Sequence, residues 1–151
     1  MAKSFGAIVT GVCSGANVDL VKSIGADAVI DYNKEDFTKN GEIYDVIFDT
    51  VNVISVKGSL ESLSKTGTMV LSAAGFSEML QAAWISMTSS RKVLTGMISH
   101  KAEDIIFIKE LIEKGQFKAV VDRVYKLEEM VAAHNYVEKG HKKGNVAIEI
   151  D

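Results

Sequence analysis

The sequence predicts an α/β fold: a parallel β-sheet with helices on both of its faces. Three observations predict it. Short apolar runs rich in β-branched residues alternate with helical patterns along the chain. Tyr44 to Asp49, YDVIFD, is a continuous apolar run ending in an acid, as a buried parallel strand does at its carboxyl end. Ala7 to Tyr32 reads strand, turn, helix, strand, which is a parallel crossover. Right-handed crossovers make such a sheet doubly wound.

Met1 to Gly6 reads as the last turn of a helix with Gly6 past its end. Ile8 to Val12 is the first strand, and Ser14-Gly15-Ala16-Asn17 is a small polar turn. Val18, Val21 and Ile24 mark one side of a short helix closed by Gly25. Ala28 to Ile30 is a strand ending in Asp31-Tyr32. Lys34 to Asn40 is polar, with Phe37 as its apolar anchor, and suits a short helix or turn. After Tyr44 to Asp49, Val53 to Lys65 has a modest helical face in Ile54, Leu60 and Leu63 and ends in a turn at Thr66-Gly67. Thr68 to Ala73 is the next strand. Phe76 to Ser90 has Met79, Leu80, Ala83, Trp84 and Met87 at helical spacing. Lys92 to Ile98 is another strand, an exposed edge and an expected dimer seam.

Ala102 to Lys114 is the clearest helix. Ile105, Ile108, Leu111 and Ile112 lie on one side, Glu110 and Lys114 pair on the surface, and Gly115 caps the end. Val120 to Tyr125 reads as a short strand. Leu127 to Lys139 is a helix with Met130, Val131, His134 and Val137 inward. Asn145 to Ile150 alternates apolar with other residues and is a half-buried strand.

At 151 residues the chain is read as a single domain, 1–151, large enough for a substantial core. The net charge of −3, with no sizeable basic cluster, argues against a nucleic-acid surface. The single cysteine, Cys13, fits a reducing compartment. No apolar run reaches membrane-spanning length, and no signal-peptide core follows Met1, so a cytoplasmic protein is expected. With no proline, turns rely on Gly, Asn, Asp and Ser.

Ligands of a doubly wound sheet sit beyond the carboxyl ends of its strands. The residues there, Cys13-Ser14, Asp31-Tyr32, Asp49 to Asn52, Ser72 to Gly75 and Met97 to Ser99, are small or polar and leave room for a flat cofactor. Strand ends are polar in any sheet, so this alone does not settle a nucleotide site. Ser14-Gly15-Ala16-Asn17 carries no acid to select a ribose 2′-hydroxyl and no base to bind a 2′-phosphate; the nearest base is Lys22. The balance leans to NADP. The chain contains no G-x-G-x-x-G, whose amides would cradle a pyrophosphate. His100, His134, His141 and Cys13 have no metal-ligand spacing. A phosphoacceptor site at Asp49 would need paired acids nearby, and Asp31 is a single candidate.

The motifs AKSFGAIVTGVCS, VDLVKSIGADAVIDY, YDVIFDTV and VDRVYKLEEMVAAHNYVEKGHKKGNVAIEI resemble, in this order, the carboxyl-terminal half of medium-chain dehydrogenases/reductases, in their zinc-independent quinone-oxidoreductase-like group. The resemblance covers essentially the whole chain. It implies a Rossmann-like, doubly wound parallel sheet of order 3-2-1-4-5-6, truncated so that the first strand and its glycine-rich loop are absent. It implies NADP(H) as cofactor, no zinc, and a quinone or other small carbonyl substrate, with alcohol-dehydrogenase-like chemistry. By position it places Ser14 and Asn17 at the 2′-phosphate, with Tyr32 near it and the adenine. Val51 and Asn52 would border the adenosine, Ala74 and Met97 would face the nicotinamide, and Asn145 would lie near the pyrophosphate. No catalytic residue is carried over. Ala16 and Asn17 stand where such sequences usually have Arg or Lys, and residues from about 120 to 151 normally lean on a GroES-like domain that this sequence lacks. The chain alone is therefore expected to be inactive, with cofactor binding in doubt; a folded dimerisation or partner-binding module is the alternative.

An absent central strand leaves the strands Ile8–Val12 and Val46–Asp49 facing a gap. Each buried, unpaired backbone group costs about 1–3 kcal/mol. Either those two strands pair directly, or another chain fills the gap, giving a homodimer or strand-exchanged oligomer.

Overall fold

The computed structural model describes residues 1–51, 54–72, 74–95 and 101–150. Among the described residues, seven strands fall into three sheets. β1 (Thr10–Cys13) pairs with β2 (Ala28–Asp31). β3 (Tyr44–Asp49), β4 (Leu63–Leu71) and β5 (Lys92–Thr95) form the second sheet, in that order. β6 (Val121–Lys126) and β7 (Asn145–Glu149) form the third. The helices are α1 (Val18–Ser23), α2 (Val56–Ser59), α3 (Phe76–Thr88), α4 (Ala102–Glu113) and α5 (Met130–Glu138). Short 3₁₀ turns precede β1, α1 and α5. β2-β1 and β3-β4-β5 are the adjacencies that the pieces 3-2 and 4-5-6 of a Rossmann-like order require. Direct pairing of β1 with β3 is not found among the described residues: each is the terminal strand of its own sheet.

The chain divides into two compact units. The larger comprises Val12–Gly15 and Val29–Lys101. β3, β4 and β5 run parallel, with Ile47 opposite Met69 and Met69 opposite Val93. This row is buried, and Val56 of α2 with Ala82 and Ile85 of α3 completes the same core. Ile30 and Phe37 join it, so the polar Lys34–Asn40 segment is a turn anchored by one ring, as its sequence suggests. The segment is tightened by Asp36, which accepts from the backbone and hydroxyl of Thr38.

In this unit the structure departs from the sequence expectation in three places. The helix expected over Val53 to Lys65 shrinks to the four residues of α2, and β4 begins at Leu63 rather than Thr68. The expected turn at Thr66-Gly67 is a bulge inside β4: β3 advances from Tyr44 to Val46 while β4 advances from Leu63 to Thr68. Gly67 is required there, because a Cβ would stand 2.8 Å from the Leu63 side chain. Arg91, at the start of β5, donates to the carbonyls of Leu63 and Ser64 and satisfies the start of the bulge.

The second correction concerns β3, which is not buried on both faces. Ile47 is buried, but Val46 and Phe48 are each 62% exposed, because α2 and α3 pack on only one side of the sheet. The third concerns α3. Its buried residues are Ala82 and Ile85, while Met79, Leu80, Trp84 and Met87 face solvent. The helix forms as its spacing predicts, but two apolar stripes compete, and the Ala82–Ile85 stripe meets the sheet.

The smaller unit comprises Met1–Gly11, Ala16–Ala28 and Ala102–Asp151. Gly6, Gly25, Gly115 and Gly140 end their helical segments with positive φ, at the positions the sequence marks. Asp27 ties the amino-terminal turn down, pairing with Lys3 at 2.7 Å and accepting from the Val9 amide. Phe5 stacks on Phe107 of α4. In α4 Leu111 is buried and Ile108 half-buried, but Ile105 and Ile112 are exposed. In α5 the inward residue is Ala133, not Met130, Val131, His134 or Val137. With that face inward, Tyr136 meets β6 and donates to Asp122 at 2.6 Å.

Met69 is fully buried at the centre of the three-stranded sheet, whereas Met87 is 86% exposed. Met69→Ala is expected to cost about 2–5 kcal/mol of stability, and Met87→Ala less than about 0.5 kcal/mol. Urea denaturation of the two variants checks the contrast.

Candidate cofactor site

The carboxyl ends of β1 and β2 lie side by side. The Tyr32 amide donates to the Cys13 carbonyl, and upstream the Asp27 amide donates to Val9, so the strands advance in parallel. The Asp31 side chain closes this end. Its carboxylate accepts from the backbone and side-chain amides of Asn33, and Lys34 stands 3.8 Å away. It also lies against Gly15, where a Cβ would be 2.6 Å from Oδ2. The Asn33 amide, with help from Lys34 and the Gly15 backbone, holds the Asp31 carboxyl below its usual range against the opposing effect of burial. Burial, and then the Asp31 charge, push the Cys13 thiol up, which removes thiolate character.

Of the sequence-expected residues in the larger unit, Ser14 is half-buried at this turn. Tyr32 beside it is 60% exposed, its ring open to a ligand. Val51 follows β3 and is exposed, its amide donating to the buried Asp49 carboxylate, which also accepts from Ile54. Asp49 is therefore a loop clamp rather than a phosphoacceptor. The Ser72 amide bonds the Asp49 carbonyl, keeping the ends of β3 and β4 adjacent, and Ala74 packs on the core just beyond. Asn52 and Met97 lie outside the described residues.

In the smaller unit Asn17 ends the 3₁₀ turn before α1, and its Oδ1 is buried without a hydrogen-bond partner. Asn145 is exposed at the start of β7, its amide donating to Val120 at 2.7 Å. Two residues earlier, Lys143 reaches the Ala16 carbonyl with its Nζ at 3.5 Å. The sequence carries no signal for this contact, because 127 positions separate the two. Sequence reasoning missed the reach of Asp31 to Gly15, although an acid at a strand end was a visible signal.

The family model for zinc-binding dehydrogenases matches residues 24–148. The chain belongs to the zinc-binding dehydrogenase family. It is 30% identical, over 99% of its length, to a chloroplastic quinone-oxidoreductase, QR1, of Triphysaria versicolor. It is 28% identical over its whole length to the trans-enoyl reductase pgmF of Aspergillus terreus. Among solved structures, a quinone oxidoreductase from Coxiella burnetii matches with a TM-score of 0.79 at 23% identity over 99% of this chain. An NAD-dependent alcohol dehydrogenase matches with a TM-score of 0.78 at 22% identity, also over 99%. The chain spans about half the length of these relatives, 47% of both curated enzymes and of the first structure and 46% of the second. It is thus a quinone-oxidoreductase-like member of the medium-chain dehydrogenase/reductase superfamily, and the Rossmann-like fold is shared with the solved structures.

The family's name mentions zinc, but among the described residues no three His, Cys, Asp or Glu side chains converge in a way that fits a metal ion. The residues do fit part of a dinucleotide. The half-buried Ser14 and the open Tyr32 ring, both in the larger unit, are the kinds of group that hold an adenosine ribose and its base.

The Asp122–Tyr136 bond gives this family member a titration signature. Chiefly the Tyr136 hydroxyl, then the Lys143 amide, hold the Asp122 carboxyl below its usual range, and the same bond raises the Tyr136 phenol. The Asp122 contribution is present above the unfolded value of about 3.9 and is lost as pH falls through the lower folded value. The Tyr136 contribution is present below about 10 and is lost as pH rises through its raised folded value. Tyr136→Phe is therefore expected to lower stability at neutral pH, with the difference from wild type shrinking below about pH 4 and again above about pH 10. Denaturation curves across that range measure it.

Proposed function

We propose that this chain is the cofactor-binding part of an NADP(H)-dependent oxidoreductase that reduces quinones or enones. One observation carries the reading: the ends of β1 and β2 are fixed side by side, with Ser14 half-buried and the Tyr32 ring open beside it. That is where a doubly wound sheet takes the adenosine end of a dinucleotide. The printed activities of the relatives, quinone oxidoreductase and trans-enoyl reductase, support the substrate class. The bound dinucleotide would supply the hydride. The residues of the larger unit supply orientation: Tyr32 a surface for the adenine, and Val51 and Ala74 apolar flanks along the sheet.

The 151 residues contain no G-x-G-x-x-G, so backbone amides for the pyrophosphate must come from elsewhere. The chain by itself therefore binds dinucleotide weakly and does not turn over. The Asp31 carboxylate against Gly15 opposes a phosphate there, and its bonds to Asn33 and its pairing with Lys34 temper that charge.

A second reading, a dimerisation or partner-binding module, is favoured by the apolar side chains left in water. Trp84, Met87 and Leu94 are exposed, and β5 is a terminal strand. A homodimer or strand-exchanged oligomer fits that surface.

NADPH titration followed by nicotinamide fluorescence separates the readings. Cofactor binding predicts weak, saturable binding that Tyr32→Ala weakens by about 1–3 kcal/mol, the worth of one aromatic stacking contact, with no quinone reduction by the 151 residues alone. The module reading predicts no saturable signal and stable self-association by light scattering.

A further inference from the structure

The loop between β2 and β3 carries the pair Asn40-Gly41, the only asparagine followed by glycine among the 151 residues. An asparagine side chain is converted when the amide nitrogen of the next residue attacks its carbonyl carbon. In a folded chain three things oppose that attack: a side chain on the next residue, a hydrogen bond that holds the attacking N–H, and a regular element that fixes the backbone. Gly41 has no Cβ to crowd the attack. It is exposed, with open space where a Cβ would stand. Its amide donates no hydrogen bond among the described residues. The stretch from Asn40 to Ile43 lies outside helix and strand, ahead of β3 at Tyr44.

The Asn40 side chain is also held in a way that favours the reaction. Its Oδ1 accepts from the Glu42 amide at 3.0 Å. Negative charge develops on that oxygen when the carbonyl is attacked, and a donor already in place lowers the barrier. Nδ2, the group that must leave, makes only a long 3.5 Å bond to the Tyr44 hydroxyl.

We propose that Asn40 is a site of spontaneous deamidation in the folded protein, giving aspartate and isoaspartate at this position. The Gly41 nitrogen gives its proton to solvent and bonds Asn40 Cγ. The Cγ–Nδ2 bond breaks, and Nδ2 takes up a proton and leaves as ammonia. Water then opens the five-membered ring. Opening at Cγ gives aspartate, and opening at the main-chain carbonyl carbon gives isoaspartate, whose backbone is longer by one methylene. The extra methylene falls just ahead of a fixed point. The Tyr44 amide bonds the Ser62 carbonyl at 2.8 Å, and the Tyr44 ring meets the buried Phe37 edge-on with 6.1 Å between centroids. Isoaspartate therefore loosens the start of β3, whereas aspartate adds a charge in an exposed loop and keeps the backbone length.

The test is incubation of the 151-residue protein at neutral pH in oxygen-labelled water, followed by peptide mapping with electron-transfer fragmentation, which separates isoaspartate from aspartate. Asn135, inside α5, is the control within the same molecules. The expected result is that Asn40 converts at least about tenfold faster than Asn135, a barrier difference of about 1.4 kcal/mol. Asn40 should also keep, to within about tenfold, the rate it has in the urea-unfolded chain. Asn40→Gln, whose longer side chain must close a six-membered ring, should abolish the conversion. The isolated isoaspartate form should unfold at lower urea than Asn40→Asp, which carries the charge without the methylene. Conversion of Asn40 no faster than that of Asn135, or protection by folding of more than about tenfold, overturns the inference.

Discussion

The larger unit depends on the row Ile47–Met69–Val93. Among the described residues β4 has strand partners on both edges, so Met69 has a buried neighbour on each side and helices above it. Everything else in that unit is arranged to keep this row dry. The bulge at Ser64–Gly67 lets β4 begin early, so that Leu63 enters the core as well. Arg91 makes the bulge tolerable by bonding its carbonyls. The clamp at Asp49 holds the loop that leads into α2, and α2 brings Val56 over the row. The ends of β3 and β4 are thus placed by core packing, and the candidate site inherits that placement.

Much of this was legible because it is local. β3 begins and ends where its apolar run does. The glycines that end helical segments adopt positive φ, as a residue without Cβ can. Phe37 stands out as the one apolar residue of a polar segment and is buried. What failed was the choice of face. On α3, spacing alone cannot say whether the Met79–Trp84–Met87 stripe or the Ala82–Ile85 stripe meets the sheet; both are apolar and both recur at helical intervals. Packing against the sheet selects the Ala82–Ile85 stripe, and that is information about a neighbour rather than about the helix.

The site residues divide the same way. Ser14, Tyr32 and Asn17 stand out in the sequence because strand ends are where ligands of such sheets bind. The contact of Lys143 with Ala16 does not, because nothing between them in the sequence signals that they meet. The position of Lys143 follows from a chain of bonds, Tyr136 to Asp122 to the Lys143 amide, each partner unremarked in the sequence. With Ala133 inward, α5 leaves His134 in water.

The strand order also changes what an open edge costs. A gap beside β3 was expected to bury unpaired backbone groups. Instead Val46 and Phe48 stand in water, so the edge beside them can be hydrated and the hydrogen-bonding penalty is small. The cost shifts to apolar area, at about 25 cal/mol for each Å² left exposed. That penalty is graded rather than all-or-none. It lets β3-β4-β5 hold together on one buried face while the other face retains a driving force for association. An added strand would pair with the β3 edge, and whatever covered Phe48 and Leu94 would gain their burial. The two faces of this one sheet thus answer to different terms, burial on the Ile47 face and exposed apolar area on the Phe48 face.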